Sequence, residues 1–316
     1  MIKNETRHQI DKHKATQHFE RAVRYHDARR NDEAVKELKK AVRYNPLKYT
    51  YLYNLGTTYL EIDDYRNAYI WYKKCMPFLE EVIRTAGFKG KPKKRLDDNV
   101  MMLANLGTVF EQFDDPDAKR CLQAAIKINP HSFNARFNLG LYYCKRDLLE
   151  DAIPELSKAY SLDMNSSDTI ECLAYAYHNV GMVDESIGLI EGYRKDHPLT
   201  NGMLNILGAA YSSFDRTMSG AIKCFQEMVI NEPKKSFPHA LLAYAYADLG
   251  WKNEAYGEID RAKALNKEEK DKDTEELIKD VLEELDEPED DNKKRMAFYL
   301  LMLIKKKMKE KENLRR

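Results

Sequence analysis

The feature that most constrains the fold of this chain is a short pattern that returns about every 34 residues. An aromatic residue follows a small residue at a distance of three positions, and a second small residue lies about twelve positions after the first. The pattern occurs seven times. The first small residues are Ala22, Gly56, Gly107, Gly140, Ala174, Gly208 and Ala243; the aromatic residues are Tyr25, Tyr59, Phe110, Tyr143, Tyr177, Tyr211 and Tyr246; the second small residues are Ala34, Ala68, Ala118, Ala152, Ser186, Ala221 and Ala255. Aromatic residues make up 10% of the chain, so chance would fill these seven positions about once in ten million such chains.

This pattern predicts pairs of packed helices. Two helices approach closely only where small side chains let their backbones come together, which explains the small residue on each helix of a pair. A leucine precedes the small residue in six units, as in Leu55 and Leu106, and forms an apolar stripe with the aromatic residue. Prolines follow the second helix in four units and fix the turn into the next unit, because proline cannot continue a helix: Pro46, Pro130, Pro198 and Pro233.

The pattern resembles the tetratricopeptide repeat, and the resemblance extends from Ala15 to about Glu269, roughly four-fifths of the chain. It implies an all-α fold, a right-handed superhelical solenoid of helix-turn-helix repeats with C-terminal capping helices. One helix pair cannot bury its apolar face alone, so stacked neighbours must supply a continuous core. The signature residues therefore have a packing role and say little about function.

The repeats and the segments outside them divide the chain into six parts. These are an N-terminal helical extension (1–14), repeat units one and two (15–82), a basic insertion loop (83–99), repeat units three to seven (100–269), an acidic capping helix (270–287), and a linker with a basic C-terminal helix (288–316). The second helix of unit two is expected to continue past Pro77 with a kink. From Arg84 to Arg95 the insertion carries six positive charges and no negative one. Such a segment is typical of a solvated basic loop or of an anion-binding or nuclear-import patch.

The C-terminal part of the sequence changes character twice. Between Lys267 and Asp291 there are fourteen acidic and four basic residues. Apolar residues at helical spacing nevertheless predict a capping helix there: Leu277, Ile278, Val281, Leu282 and Leu285. Met296–Ile304 is then apolar throughout and is followed by lysines. This segment could pack on the protein, self-associate or lie on an anionic membrane surface; its uniformly apolar character favours packing or self-association.

Composition excludes several classes of protein. The 52 basic and 52 acidic residues cancel, so no overall positive charge exists to hold nucleic acid. The longest apolar run has nine residues, whereas a membrane-spanning helix needs about 20. The first residues include no apolar segment typical of a secretory signal. Five widely spaced cysteines without a C-x-x-C motif predict buried thiols in a reducing compartment, and we expect a cytoplasmic protein.

No motif in the sequence predicts catalysis. Neither a nucleotide-binding loop nor a serine-hydrolase or zinc-protease motif occurs. His8, His13, His18 and His26 are close in sequence, but their spacing does not stack them on one helix face. The aspartates at Asp63, Asp64, Asp114, Asp115 and Asp147 fall in turns between paired helices, where aspartate is typical of turns and helix caps. We therefore expect no enzyme activity, no cofactor and no metal site.

The resemblance also implies where a partner would bind. In tetratricopeptide proteins the first helix of each unit lines a concave groove, at the second, fifth, ninth, twelfth and thirteenth positions of the unit. The partner-binding residues predicted in this way are Phe19, Tyr53, Thr57, Phe137, Leu141, Glu171, Tyr175, His178, Asn205 and Tyr244. The groove is aromatic and weakly acidic, and Lys145 is its only lysine or arginine. This lining suits an apolar or mildly basic helix or extended peptide.

One subfamily function is not expected. Chaperone-binding tetratricopeptide domains hold a C-terminal carboxylate with lysine, asparagine and arginine from three units. Here Phe19 and Val23 stand where lysine and asparagine are needed, and Met101 and Asn105 replace the lysine and arginine; only Asn54 fits. The sequence thus predicts a non-catalytic scaffold that binds a protein in its groove and does not use this carboxylate clamp. The alternative is a self-assembling or membrane-peripheral scaffold that uses the C-terminal apolar and basic helix.

Overall fold

The structure, a computed structural model, describes residues 2–79, 81, 93–213 and 218–286, with side chains from residue 9 onwards except at 93–98. Its regular secondary structure is helical throughout these residues. The α-helices are α1 (Ile2–Asp27), α2 (Asn31–Tyr44), α3 (Tyr49–Leu60), α4 (Tyr65–Lys73), α5 (Lys93–Gln112), α6 (Asp117–Ile128), α7 (Phe133–Lys145), α8 (Leu149–Leu162), α9 (Ser167–Asn179), α10 (Val183–Arg194), α11 (Asn201–Ser212), α12 (Met218–Asn231), α13 (Ser236–Asp248), α14 (Lys252–Glu269) and α15 (Lys272–Asp286). The all-α repeat fold predicted from the sequence is confirmed, whereas the right-handed superhelix stays a prediction.

The helices form seven successive pairs, and the first and second members of a pair are here called helix A and helix B. Helices A are α1, α3, α5, α7, α9, α11 and α13. The chain divides into two compact units, residues 1–142 and 143–316. In the first unit, each helix from α1 to α6 packs on its neighbour in the chain. In the second unit, α9 also packs on α11, and α13 on α15.

Small residues at the crossing of helices A and B explain why the pairs form. A Cβ atom added at Gly56 would overlap the ring of Tyr72, and one at Gly208 would overlap the ring of Phe225. The small residues on helices B are fully buried in all seven pairs. In the fifth pair Ser186 takes the place of alanine, and its hydroxyl donates a hydrogen bond to the carbonyl of Ala174 at 2.9 Å. Close helix approach is thus built into the pattern that the sequence repeats.

The turn between helix A and helix B has one conformation in six pairs. The fifteenth residue of each of these six repeats has a positive φ angle: Arg29, Asp63, Asp114, Asp147, Gly181 and Gly250. Aspartate and glycine tolerate this left-handed region better than other residues. The next residue can then cap helix B, as Asp64 does by accepting a hydrogen bond from the backbone N–H of Asn67 at 3.0 Å. These aspartates therefore have structural roles.

Around the insertion the structure differs from the sequence prediction. Helix α4 does not continue past Pro77; it ends at Lys73, and a short 3-10 helix follows at Met76–Phe78. Proline removes a backbone donor and clashes with the preceding turn, so the α-helix stops before it. Helix α5 begins at Lys93, within the stretch predicted as a loop. The part of the basic insertion from residue 83 to residue 92 lies outside the described residues.

The helices before and after the insertion remain packed on each other. Tyr69 Oη donates a hydrogen bond to Asp115 Oδ2 at 2.8 Å. Lys73 Nζ contacts Asp115 at 2.8 Å and Asp117 at 2.7 Å. Because Asp115 and its partners are partly withdrawn from water, this pairing fixes α4 against the turn between α5 and α6. The insertion therefore does not separate the second and third helix pairs.

Helix α15 covers the end of the last helix pair. Leu277, Val281 and Leu285 are buried, and the helix packs on α13 and α14. Polar groups join the three helices where α13 begins: the hydroxyl of Ser236 lies within hydrogen-bonding distance of Glu269, Asn266 and Thr274. The linker and basic helix predicted at 288–316 lie outside the described residues.

Candidate partner-binding face

Side chains join successive helices A of the first unit. The contacts are His26 Nε2 with Glu61 Oε1 at 2.8 Å, Asn105 Nδ2 with Tyr53 Oη at 3.3 Å, and Asn138 Nδ2 with Thr108 Oγ1 at 2.9 Å. These contacts link α1 to the end of α3, α3 to α5, and α5 to α7. Helices A of this unit therefore lie side by side, and the repeat positions predicted to face a partner share one surface.

Half-buried aromatic rings line this surface of the first unit. Phe19 contacts Tyr51 (ring centroids 4.9 Å apart), Tyr53 stacks on Tyr72 (5.7 Å), and Phe137 stacks on Phe133 (6.0 Å). Thr57 Oγ1 lies 3.0 Å from Tyr72 Oη, and Leu141 is also half-buried. Because each ring is held by a second ring, the partly exposed aromatic side chains are rigid.

Two apolar side chains at the same repeat positions are more exposed. Val23 is 39% exposed and Met101 is 54% exposed. Val23 occupies the ninth position of the first repeat, and Met101 occupies the second position of the third repeat. The centre of a protein interface is rich in apolar and aromatic side chains of this kind.

In the second compact unit, residues 143–316, the predicted aromatic anchors are buried. Tyr175 is 2% exposed and Tyr244 is 1% exposed, and burial raises the pKa of both hydroxyls. Side chains this covered cannot supply the contact area of an interface anchor. Of the ten predicted residues, the five of the first unit are therefore the candidates for contact at the surface: Phe19, Tyr53, Thr57, Phe137 and Leu141.

The three predicted polar residues of the second unit are also buried. Glu171 Oε2 accepts a hydrogen bond from Thr200 Oγ1 at 2.6 Å, and its carboxylate lies against Gly202. Burial lowers the pKa of His178 to about 4, so the imidazole is neutral at physiological pH. His178 and Asn205 have atoms without hydrogen-bond partners among the described residues.

Sequence reasoning missed a buried glutamate with two side-chain partners in each of the two terminal repeats: Glu37 and Glu258. In each, a histidine on helix A contacts a glutamate on helix B, and a basic residue three positions later holds the other carboxylate oxygen. The distances are 2.7 Å for His18–Glu37 and 2.6 Å for Lys40–Glu37, and 2.6 Å for His239–Glu258 and 2.5 Å for Arg261–Glu258. The signal was available, because the residues of the two sets occupy the same repeat positions.

The described residues contain neither a metal-binding cluster nor a membrane-spanning helix. Within the residues that carry described side chains, no group of three or more histidine, cysteine, aspartate or glutamate side chains is arranged to hold a metal ion. No helix in the described part of the chain is both long and apolar enough to cross a membrane. All five cysteines are buried, and none of them forms a disulfide.

Comparison with known proteins identifies the class of the fold. A model of the tetratricopeptide repeat family matches residues 18–74 and 114–167. A solved tetratricopeptide repeat protein from Parabacteroides merdae shares 19% identity over 85% of this chain and 99% of that chain, with a TM-score of 0.54. PilF of Pseudomonas aeruginosa shares 15% identity over 71% of this chain and 94% of that chain, with a TM-score of 0.50.

A third solved structure is YrrB, described as a tetratricopeptide repeat protein with an unusual peptide-binding site; it shares 19% identity over 57% of this chain and 86% of that chain, with a TM-score of 0.47. No curated protein sequence matches the chain significantly. The helix pairs, the recurring small residues and the family match together define a helical repeat protein. The family match identifies residues 18–74 and 114–167 as tetratricopeptide repeats, and the fold of the chain is similar to that of a solved tetratricopeptide repeat protein.

Proposed function

We propose that this protein is a non-catalytic scaffold that binds a peptide or helix of a partner protein on the face formed by helices A. The observation that carries the proposal is the row of half-buried rings of Phe19, Tyr53 and Phe137 in the first unit, beside the exposed Val23 and Met101. Repeat solenoids offer extended concave surfaces of this kind to their partners. Rigid aromatic side chains lose little conformational entropy on binding, which makes them effective anchors.

The chemistry of this face favours an apolar segment over an acidic chain terminus. Asn54 Nδ2 donates its hydrogen bond to the carbonyl of Thr50 at 2.7 Å, and Asn105 donates to Tyr53. Amide groups engaged in this way are not directed at a carboxylate. We propose that an amphipathic helix or extended segment lays apolar side chains against the rings, without a carboxylate clamp.

The titratable groups of the described residues support a role without catalysis. The turn aspartates shape and cap the helices, and the buried Glu37 and Glu258 each contact a histidine on helix A and a lysine or arginine on their own helix. We also propose a cytoplasmic location, which the five buried cysteines support because none of them forms a disulfide and thiols persist in reducing compartments.

A capture experiment with matched variants tests the proposal. The full chain serves as bait, bound proteins are identified by mass spectrometry, and the bound segment is remade as a synthetic peptide. Tyr53→Ala combined with Phe137→Ala should weaken peptide binding at least tenfold, because each buried anchor contributes about 2 kcal/mol or more. Circular dichroism should show unchanged helicity.

The control is Ile70→Ala on helix B of the second pair, since Ile70 is exposed but lies on the other helix of its pair. This variant should bind the peptide as the unmodified protein does. Undiminished binding by the double variant, or equal loss with Ile70→Ala, would show that the face of helices A is not the binding site.

A further inference from the structure

Two buried polar side chains of the second unit have unsatisfied hydrogen-bonding atoms. Both ring nitrogens of His178 and the Oδ1 atom of Asn205 have no partner among the described residues. The two residues are 5% and 6% exposed. Buried polar groups in proteins are nearly always paired, so two such residues on adjacent helices A require an explanation.

The repeat register places these residues at similar heights on two neighbouring helices. Helices α9 and α11 are the helices A of successive pairs and pack on each other. Glu171 near the start of α9 contacts Thr200 and Gly202 at the start of α11. Counting along both helices from this contact at 1.5 Å per residue places His178 and Asn205 within about one helical turn of each other along the axis. They also occupy positions that the repeat directs towards a partner.

Neighbouring polar side chains on the same faces already have partners. Asn179 Nδ2 donates to the carbonyl of Tyr175 at 2.8 Å. The hydroxyls of Ser212 and Ser213 both donate to the carbonyl of Ala209, at 2.9 and 3.0 Å. Gly202 and Ala209 have no polar side-chain atoms. None of these groups therefore completes the hydrogen bonding of His178 or Asn205.

The unsatisfied atoms define the chemistry of a matching group. Burial keeps the His178 ring neutral, so one ring nitrogen donates a hydrogen bond and the other accepts one. Asn205 Oδ1 accepts a hydrogen bond. A carboxylate offers acceptors alone and would bring an uncompensated charge into a buried site. A carboxamide offers both an N–H donor and a carbonyl acceptor in one plane.

We propose that His178 and Asn205 form a subsite that binds the carboxamide of an asparagine or glutamine side chain in the bound segment. This inference rests on the proposed function, because it names a feature of the partner that the helices A would recognise. The carboxamide donates to Asn205 and to the acceptor nitrogen of the imidazole, or accepts from its N–H group. Because the atoms lie below the surface, the side chain inserts between the helices.

The test uses acetamide and acetate as matched probes of the full chain labelled with ¹⁵N-histidine. Acetamide should shift the ring ¹⁵N resonances of His178 and acetate should not, and both His178→Phe and Asn205→Leu should abolish binding. Thermal stability of the two variants should stay the same or rise, because each removes an unsatisfied buried group. Asn179→Leu is the control, since that amide is engaged with its own helix; it should bind acetamide normally.

A selection of random twelve-residue displayed peptides separates this inference from the proposed function. Selected peptides should carry asparagine or glutamine at one fixed position and bind Asn205→Leu at least tenfold more weakly. Peptides that bind this variant normally but lose affinity for the Tyr53→Ala, Phe137→Ala protein would overturn the subsite and retain the proposed function. Peptides insensitive to both sets of changes would overturn both. His178→Phe and Asn205→Leu could instead lower the thermal stability while acetamide leaves the His178 resonances of the unmodified protein unchanged. That result would overturn the subsite and show that the two side chains stabilise the fold by binding internal water.

Discussion

At the scale of single residues, replacing a glycine by alanine should have opposite effects on stability at two kinds of site. A Cβ atom at Gly208 would overlap Phe225, whose side chain is fully buried and cannot move aside. At Gly192, on the exposed side of α10, an added Cβ atom meets nothing within 4 Å. Gly208→Ala should therefore lower the free energy of unfolding by about 1–3 kcal/mol, whereas Gly192→Ala should raise it by about 0.5–1 kcal/mol through helix propensity. Urea denaturation followed by circular dichroism measures both, and equal effects would contradict the close-packing role of Gly208.

At the scale of helices, the capping helix α15 contains a group that opposes its own packing at neutral pH. Burial, and secondly the charge of Asp248, raises the pKa of Glu284 to about 7. Between the ordinary glutamate pKa and about 7, the unfolded state has released a proton that the native state still holds. Stability therefore falls as the pH rises through this range and is constant above it. Below the ordinary pKa both states are protonated and no penalty remains.

Glu284→Gln should remove this penalty. We expect the variant to exceed the unmodified protein in stability by about 1 kcal/mol at pH 8, since partial exposure lets water screen the charge. The two proteins should converge near pH 4. Glu283→Gln is the matched control, because the Glu283 side chain is 62% exposed on the same helix; this variant retains Glu284 and should follow the pH dependence of the unmodified protein. Thermal melting across this pH range gives the result, and parallel curves for the two variants would argue against a buried Glu284.

Helix pairing could be predicted from the sequence because its cause is local. Leu55, Gly56 and Tyr59 lie within one turn of a helix, and their spacing alone marks the buried stripe. The burial of Tyr175 and Tyr244 could not be predicted in this way. It depends on how closely neighbouring helices A approach each other. That distance is set by residues of neighbouring repeats, such as Gly202, which contacts the Glu171 carboxylate.

At the scale of the whole molecule, helices pack on their neighbours in the chain within each of the two compact units. Helix α11 packs on α9, α10 and α12, so a defect in it acts first on these helices. In such arrays stability is close to a sum of unit terms and nearest-neighbour interface terms. A single core defect should consequently unfold part of the chain and leave the rest intact, unlike a defect in a two-state globule.

Gly208→Val and Gly56→Val test this expectation as a pair. A β-branched side chain at either crossing would force helices A and B apart, since Gly208 faces Phe225 and Gly56 faces Tyr72. By hydrogen exchange, Gly208→Val should lose backbone protection in α9–α13 and keep it in α1–α4, and Gly56→Val should show the reverse. The reciprocal pattern matters because a general loss of stability could not produce it. If either variant lost protection evenly from α1 to α15, the chain would be unfolding as one cooperative body, and the additive description of its repeats would not hold.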